Sequence, residues 1–147
     1  MKYFIASDHA GLELKNYLIK EFQELNDVGP KEFIVEDDYP DYVYLLVEKI
    51  KKDINNSKGI LVCKNGVGVC MVANKFKQTR AGLTFSVDHA RTAISDDNIN
   101  ILCLPADFIS QEESRKIVKE FLSTEFNPEN RHLRRLKKVS IIENSNI

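Results

Sequence analysis

The sequence predicts an α/β domain: a five-stranded parallel sheet with helices on both faces and one further helix at its C-terminal end. Two observations carry this. Short apolar runs alternate with amphipathic stretches along the chain, and strands are bounded on both sides by helices. That is the pattern of βαβ units and of a sheet buried on both faces. No repeat, linker or low-complexity stretch breaks the alternation, so residues 1–147 read as a single domain.

Tyr3-Phe4-Ile5-Ala6 reads as the first strand. A helix follows from about Ala10 to Gln23, with Leu14, Tyr17, Leu18 and Phe22 at amphipathic spacing. Lys31 to Glu36, centred on Phe33-Ile34-Val35, is expected as the second strand. After Tyr39, a helix with Pro40 in its first turn carries Val43, Leu46, Val47 and Ile50 to about Asp53. Gly59 to Cys63 is the third strand, and a glycine-containing loop leads from it into a helix from about Val67 to Phe76. Arg80 to Thr84 is the fourth strand, Val87 to Ser95 a helix and Asn100 to Leu104 the fifth strand. Gln111 to Ser123 is a helix with Ile117, Val118, Phe121 and Leu122 inward, and a last helix runs from about Pro128 to Ile142.

Composition sets limits on function. The 147 residues are 43% hydrophobic and 29% charged, enough to bury a sizeable core and unlike a disordered chain. A net charge of −1 gives no general attraction to nucleic acid or to an anionic membrane. Any anion site must be built locally. No apolar run approaches the roughly 20 residues that span a bilayer. The stretch Met1 to Ala6 turns polar at Ser7-Asp8-His9, too soon for a signal-peptide core. Three cysteines without a CxxC pair argue against a disulfide framework and a zinc site, so reduced thiols in a cytoplasmic protein are expected.

In open parallel sheets, ligands sit beyond the carboxyl ends of the strands. Four polar or glycine-containing loops fall there: Ser7-Asp8-His9, Asp37-Asp38-Tyr39, Cys63 to Gly68, and Ser86. Cys63 ends a buried strand, and Gly66 and Gly68 let backbone N–H groups approach a ligand. The helix that starts there would favour a thiolate, which could serve as base or nucleophile. A buried structural cysteine beside a tight turn fits the same spacing. Asp8 or Ser7 could equally cap a helix beside a solvated His9. Arg131 and Arg135 share a helix face and could grip one phosphate, or be a solvated basic helix end. His89 reads as a surface or capping residue, and Cys70 and Cys103 as inert packing thiols.

Taken in order, the segments resemble the family of type B ribose-5-phosphate isomerases and galactose-6-phosphate isomerase subunits. The matching pieces are Ala6-Ser7-Asp8-His9-Ala10-Gly11, Asp38-Tyr39-Pro40-Asp41-Tyr42, Gly59 to Cys63, Gly66-Val67-Gly68, Ala73-Asn74-Lys75, Arg80-Ala81, Asn100-Ile101-Leu102 and Arg131-His132. The resemblance implies a Rossmann-like three-layer sandwich. It also implies a homodimer or dimer of dimers with shared sites, and aldose–ketose isomerisation without metal or cofactor. The substrate would be a small sugar phosphate of the ribose 5-phosphate/ribulose 5-phosphate type. By position, Cys63 would be the base, with Asn65, Gly66 and Gly68 donating to the enediolate oxyanion. Asp8 and Tyr39 would hold sugar hydroxyls, while His9, Arg131 and Arg135 would hold the phosphate, the arginines reaching in from a partner subunit. Val69 stands where one branch of the family has a glutamate base, which places the chain in the cysteine branch.

Departures at four places bear on the substrate. Asp96 replaces the usual ring-opening histidine, and a carboxyl of reference pKa about 3.9 is a weak proton donor at neutral pH. Asp97 replaces an asparagine that usually faces the sugar. Pro105-Ala106-Asp107 replaces Gly-Ser-Arg and so exchanges a phosphate-binding cation for an anion. Lys64 and Asn65 replace Gly and Ser or Thr, and the segment before Asp38 is shorter than usual. These changes also fit a second expectation, a non-catalytic sugar-phosphate-binding subunit or pseudoenzyme of a heteromeric isomerase.

Overall fold

A computed structural model describes residues 1–145 of the chain. Strand β1 (Lys2–Ser7) leads through a 3-10 turn (His9–Gly11) into α1 (Leu12–Glu21), followed by β2 (Leu25–Asp27) and α2 (Tyr39–Lys51). Then come β3 (Ser57–Cys63), α3 (Val67–Ala73), β4 (Ala81–Leu83), α4 (Val87–Ser95), β5 (Ile101–Pro105), α5 (Gln111–Ser123) and α6 (Asn130–Glu143). The five strands form one sheet in the order β2-β1-β3-β5-β4, every neighbouring pair parallel. The expected Rossmann-like sandwich is present.

Alternation along the central strands explains why both faces are covered. Ile60 and Val62 of β3 and Leu102 and Leu104 of β5 pack under α1, α4 and α5, against Leu14, Leu18, Ile94 and Phe121. Leu61, Cys63, Ile101 and Cys103 point the other way, under Leu46, Val47 and Ile50 of α2 and Val69 and Ala73 of α3. Fully burying a Leu, Ile or Phe side chain contributes about 1.5–3 kcal/mol, so two such layers fix which face each helix takes. Asp8 caps the 3-10 turn by accepting from Gly11 N–H, as the local sequence allowed, and Ser86 and Ser110 cap α4 and α5 by accepting from His89 N–H and Glu113 N–H.

One expected strand is wrong. Phe33-Ile34-Val35 is exposed loop, and the second strand is Leu25–Asp27 instead, paired with β1 in the register Tyr3↔Leu25. The end of α1 returns the chain directly beside the start of β1, and such connections are short. Asp27 is also anchored: the wholly buried Lys15 ammonium donates to both its carboxylate oxygens at 2.9 and 2.8 Å and to the Pro30 carbonyl at 2.6 Å. Burial pushes the Asp27 carboxyl up, but the bonds from Lys15, Lys31 and the Gly29 N–H outweigh it and hold it below the usual range. An apolar triplet outside the sheet lost to a polar one tied to a buried cation.

Other boundaries move by a few residues. Helix α3 stops at Ala73, because Thr79 Oγ donates to the carbonyls of Ala73 and Phe76 and turns the chain toward β4. Helix α6 begins at Asn130 and lies past the β4 edge, with Gln78 N–H donating to Glu143 at 2.7 Å. His132 is its one buried residue.

Candidate active site

Cys63 lies at the carboxyl end of β3, 4% exposed, where the chain leaves the sheet. Its Sγ accepts the Gly66 N–H at 3.1 Å, so the loop curls around the sulfur. Gly66 makes that curl with φ +73°, and a Cβ there would stand 2.4 Å from Leu83 Cδ1. Asn65 is exposed, and its side-chain oxygen accepts the Val67 N–H at 3.0 Å, leaving the amide NH2 group open. Gly68 N–H is in the first turn of α3, without an intrahelical acceptor. The Tyr39 ring lies against Gly68, where a Cβ would meet it at 2.7 Å.

Beside this loop, β1 ends in Asp8 and His9. Asp8 is buried and accepts the Gly11 N–H with Oδ1 at 3.0 Å. Burial raises its carboxyl above the usual value, against the pull of the Gly11 N–H and His9. It therefore caps the turn, as local sequence allowed, and keeps its second oxygen for another partner. His9 is half-buried, and its Nδ1 contacts Asp37 Oδ1 at 2.5 Å. Asp37 was missed by the residue-level reading. The available signal was an acidic residue in a loop already placed at the ligand edge. Cys63, Asn65, Gly66, Gly68, Asp8, His9 and Tyr39 are thus brought together at the carboxyl edge.

The remaining candidates are not. Asp96 is the C-cap of α4, and because a crossover helix runs back along the sheet, that end lies at the amino edge. Asp96 Oδ1 accepts from Ser95 Oγ at 2.6 Å and lies 3.9 Å from His132 Nε2. Asp97 is exposed and lines a cavity of about 720 Å³ between β4 and α6 with Leu83, Ile99, Leu136 and Val139. Asn127 N–H donates to the Ser95 carbonyl, and His132 Nδ1 contacts Asn127 O at 2.9 Å. These bonds seat the start of α6 beside Asp96. Arg131 is exposed and paired with Glu129 at 2.8 Å, and Arg135 is exposed on the same face. Within one chain the acidic pair and the arginines stand at the edge opposite Cys63.

Asp107 does belong to the Cys63 edge: its backbone N–H donates to the Lys64 carbonyl at 3.0 Å, and its side chain is exposed. His89 is exposed and stacks near Phe85, a surface residue as expected. Cys103 is fully buried, but Cys70 is only half-buried, and a hydrogen bond from the Cys103 thiol lowers it to about 7. Cys70, whose thiol donates to the Ala81 carbonyl at 3.4 Å, is less buried than expected of a core residue.

A thiol, a carboxylate, an imidazole and backbone donors clustered at the carboxyl edge of a parallel sheet define an α/β protein built around a small polar ligand. No described helix is long and apolar enough to cross a membrane. The model of the Ribose/Galactose Isomerase family matches residues 3–139. A curated relative named probable ribose-5-phosphate isomerase B, from Mycoplasma genitalium, is 45% identical over 141 residues, covering 92% of this chain and 91% of the relative. The crystal structure of ribose-5-phosphate isomerase B from Mycoplasma genitalium with bound ribulose-5-phosphate superposes with a TM-score of 0.93 at 42% identity, covering 98% and 97% of the two chains. A ribose 5-phosphate isomerase from Thermotoga maritima gives 0.89 at 38% identity, covering 95% and 97%. The chain belongs to the ribose/galactose isomerase family, and its activity is sugar-phosphate isomerisation.

Proposed function

We propose that the chain interconverts an aldose and a ketose phosphate of the ribose 5-phosphate/ribulose 5-phosphate type, with Cys63 as the base. The observation that carries this is the Cys63 sulfur, held at a strand end as an acceptor inside a loop of N–H donors. The thiolate removes the proton alpha to the carbonyl and returns it to the neighbouring carbon, while the proton of the adjacent hydroxyl passes to the former carbonyl oxygen. Between the two steps the carbonyl oxygen carries negative charge, which the Asn65 amide and the N–H groups of Gly66 and Gly68 stabilise. Gly66 N–H would exchange its sulfur acceptor for that oxygen as the sulfur takes its proton. Asp8 and Tyr39 hold sugar hydroxyls, and His9 with Arg131 and Arg135 holds the phosphate. Asp96 takes the anomeric hydroxyl proton during ring opening and returns it to the ring oxygen as the C–O bond breaks, and Asp97 faces the sugar.

Those last residues reach Cys63 only from a second copy of the chain. A two-fold pair in which the amino edge of each chain caps the carboxyl edge of the other satisfies this. Exposed Val67 and Met71 on α3 and Leu133, Val139, Ile141 and Ile142 on α6 support such pairing. A non-catalytic binding subunit is the weaker reading, because the base and its donors are intact. Purified protein assayed with pentose, tetrose and hexose phosphates, with Cys63→Ala alongside, tests the proposal. Aldose–ketose exchange lost in Cys63→Ala is expected. Turnover that survives the substitution contradicts the mechanism, and no turnover on any sugar supports the binding-subunit reading.

A further inference from the structure

His9 and Asp37 are unequal partners. The Asp37 side chain is 4% exposed and the His9 side chain 35%. Asp37 Oδ1 accepts the His9 backbone N–H at 3.1 Å and lies 2.5 Å from Nδ1. Phe33 stands edge-on to the imidazole, with ring centroids 5.7 Å apart. The segment bearing Phe33 and Asp37 is tied down at its start by Lys15 on Asp27 and Pro30, and at its end by Asp37 itself. An ion pair serving stability alone has no need to leave one ring edge open. Here one side of the ring is clamped and the other is free.

We propose that Asp37 is a positioning residue: it fixes the Nδ1 side of His9 and leaves the Nε2 side to meet the substrate's phosphate. This rests on the reading of His9 as a phosphate ligand. With Nδ1–H given to Asp37, Nε2 carries a proton only while the ring is an imidazolium, so the carboxylate sets both orientation and charge. The hydrogen bond to Asp37 raises the His9 imidazole above its ordinary value, burial opposes this, and the charges of Asp37 and Asp8 add to it. Burial pushes the Asp37 carboxyl up, yet the His9 ring, the His9 N–H and the Tyr42 hydroxyl on α2 together hold it below the usual range. The clamp therefore persists to higher pH than an unpaired imidazole would allow. It weakens as pH rises through the elevated value of His9, when Nε2–H is lost.

The test is the pH dependence of KM for ribose 5-phosphate in the wild type, Asp37→Asn and His9→Gln, with ¹⁵N NMR of the His9 ring. Asn keeps the shape and an acceptor oxygen but removes the charge. For Asp37→Asn the expectation is a KM raised about ten-fold at pH 8 and much less at pH 6, with kcat within about two-fold. In the wild-type spectrum Nδ1 stays protonated throughout, while Nε2 loses its proton above the ordinary imidazole pH. A lower melting temperature in Asp37→Asn with unchanged KM against pH would mean a structural role and overturn the proposal. So would a neutral wild-type ring protonated on Nε2, a result that needs no variant. If His9→Gln raises KM and Asp37→Asn does not, only the positioning role fails. If His9→Gln leaves KM unchanged, the phosphate assignment fails and takes the positioning role with it.

Discussion

At the carboxyl edge, Cys63, Asp8, Gly66 and Asp37 are buried or nearly so, and each is tied into the backbone by hydrogen bonds. At the amino edge, Asp97, Arg131 and Arg135 stand exposed on helix ends, and Asp96 is half-exposed. The first region is organised in the single chain. The second supplies charge at positions that a lone chain leaves in water. Catalytic groups gain by being fixed before substrate arrives, whereas long arginines can close on a phosphate afterwards. On the proposed reading, this difference fits proton shuttling by Cys63 at the first edge and phosphate capture by the arginines at the second.

The largest effect belongs to the fixed edge. Cys63→Ala should lower kcat by about 10³-fold or more while leaving the melting temperature near that of the wild type, the range of a lost general base. A kcat change under ten-fold in steady-state assays would move the base elsewhere. At the open edge, Arg131→Ala and Arg135→Ala should each raise KM by about 10- to 100-fold with a smaller change in kcat, as loss of one charge-assisted phosphate contact predicts. An equal fall in kcat would mean that the arginines act on chemistry instead of capture.

Asp96→Asn separates the two jobs further. Ribose 5-phosphate closes into a ring, whereas a tetrose 4-phosphate, its O4 esterified, cannot form a five-membered one. The variant should lose about ten-fold on the pentose phosphate and little on the tetrose phosphate. Equal losses would remove ring opening from Asp96. The smallest effect is at Asp107, whose charge lies beside the glycine loop. Asp107→Ala should lower KM for a sugar phosphate by about two- to five-fold at low salt, and the gain should shrink as ionic strength rises.

The carboxyl edge was largely legible in the sequence because it is made of short, ordered motifs. Ser7-Asp8-His9, Tyr39-Pro40 and Cys63 to Gly68 each end a strand or start a helix, so their chemistry and their place coincide. The helix pattern was equally clear, since α4 and α5 begin and end at the expected residues. β2 was misread because Phe33-Ile34-Val35 is the more apolar run, whereas Leu25-Asn26-Asp27 is fixed by a buried lysine twelve positions before Asp27, in the preceding helix, and an ion pair across elements leaves no periodicity. Asp37 was missed for a related reason: its partner is 28 residues away, and an acidic loop residue looks like ordinary solvated charge. The separation of Asp96, Asp97 and the arginines from Cys63 follows from helix direction, a property of the assembled sheet and not of any one segment.

The most direct test of a site divided between two chains is complementation. Cys63→Ala and Arg135→Ala chains carrying different tags are co-expressed, and the mixed pair is isolated through both tags. In that pair one site is doubly altered, and the other unites an intact Cys63 with an intact Arg135. The mixed pair is expected to recover about half of the wild-type activity per dimer at sub-saturating substrate, far above either homodimer. Activity no greater than the average of the two parent variants would show that each chain builds its site alone, and would contradict the division.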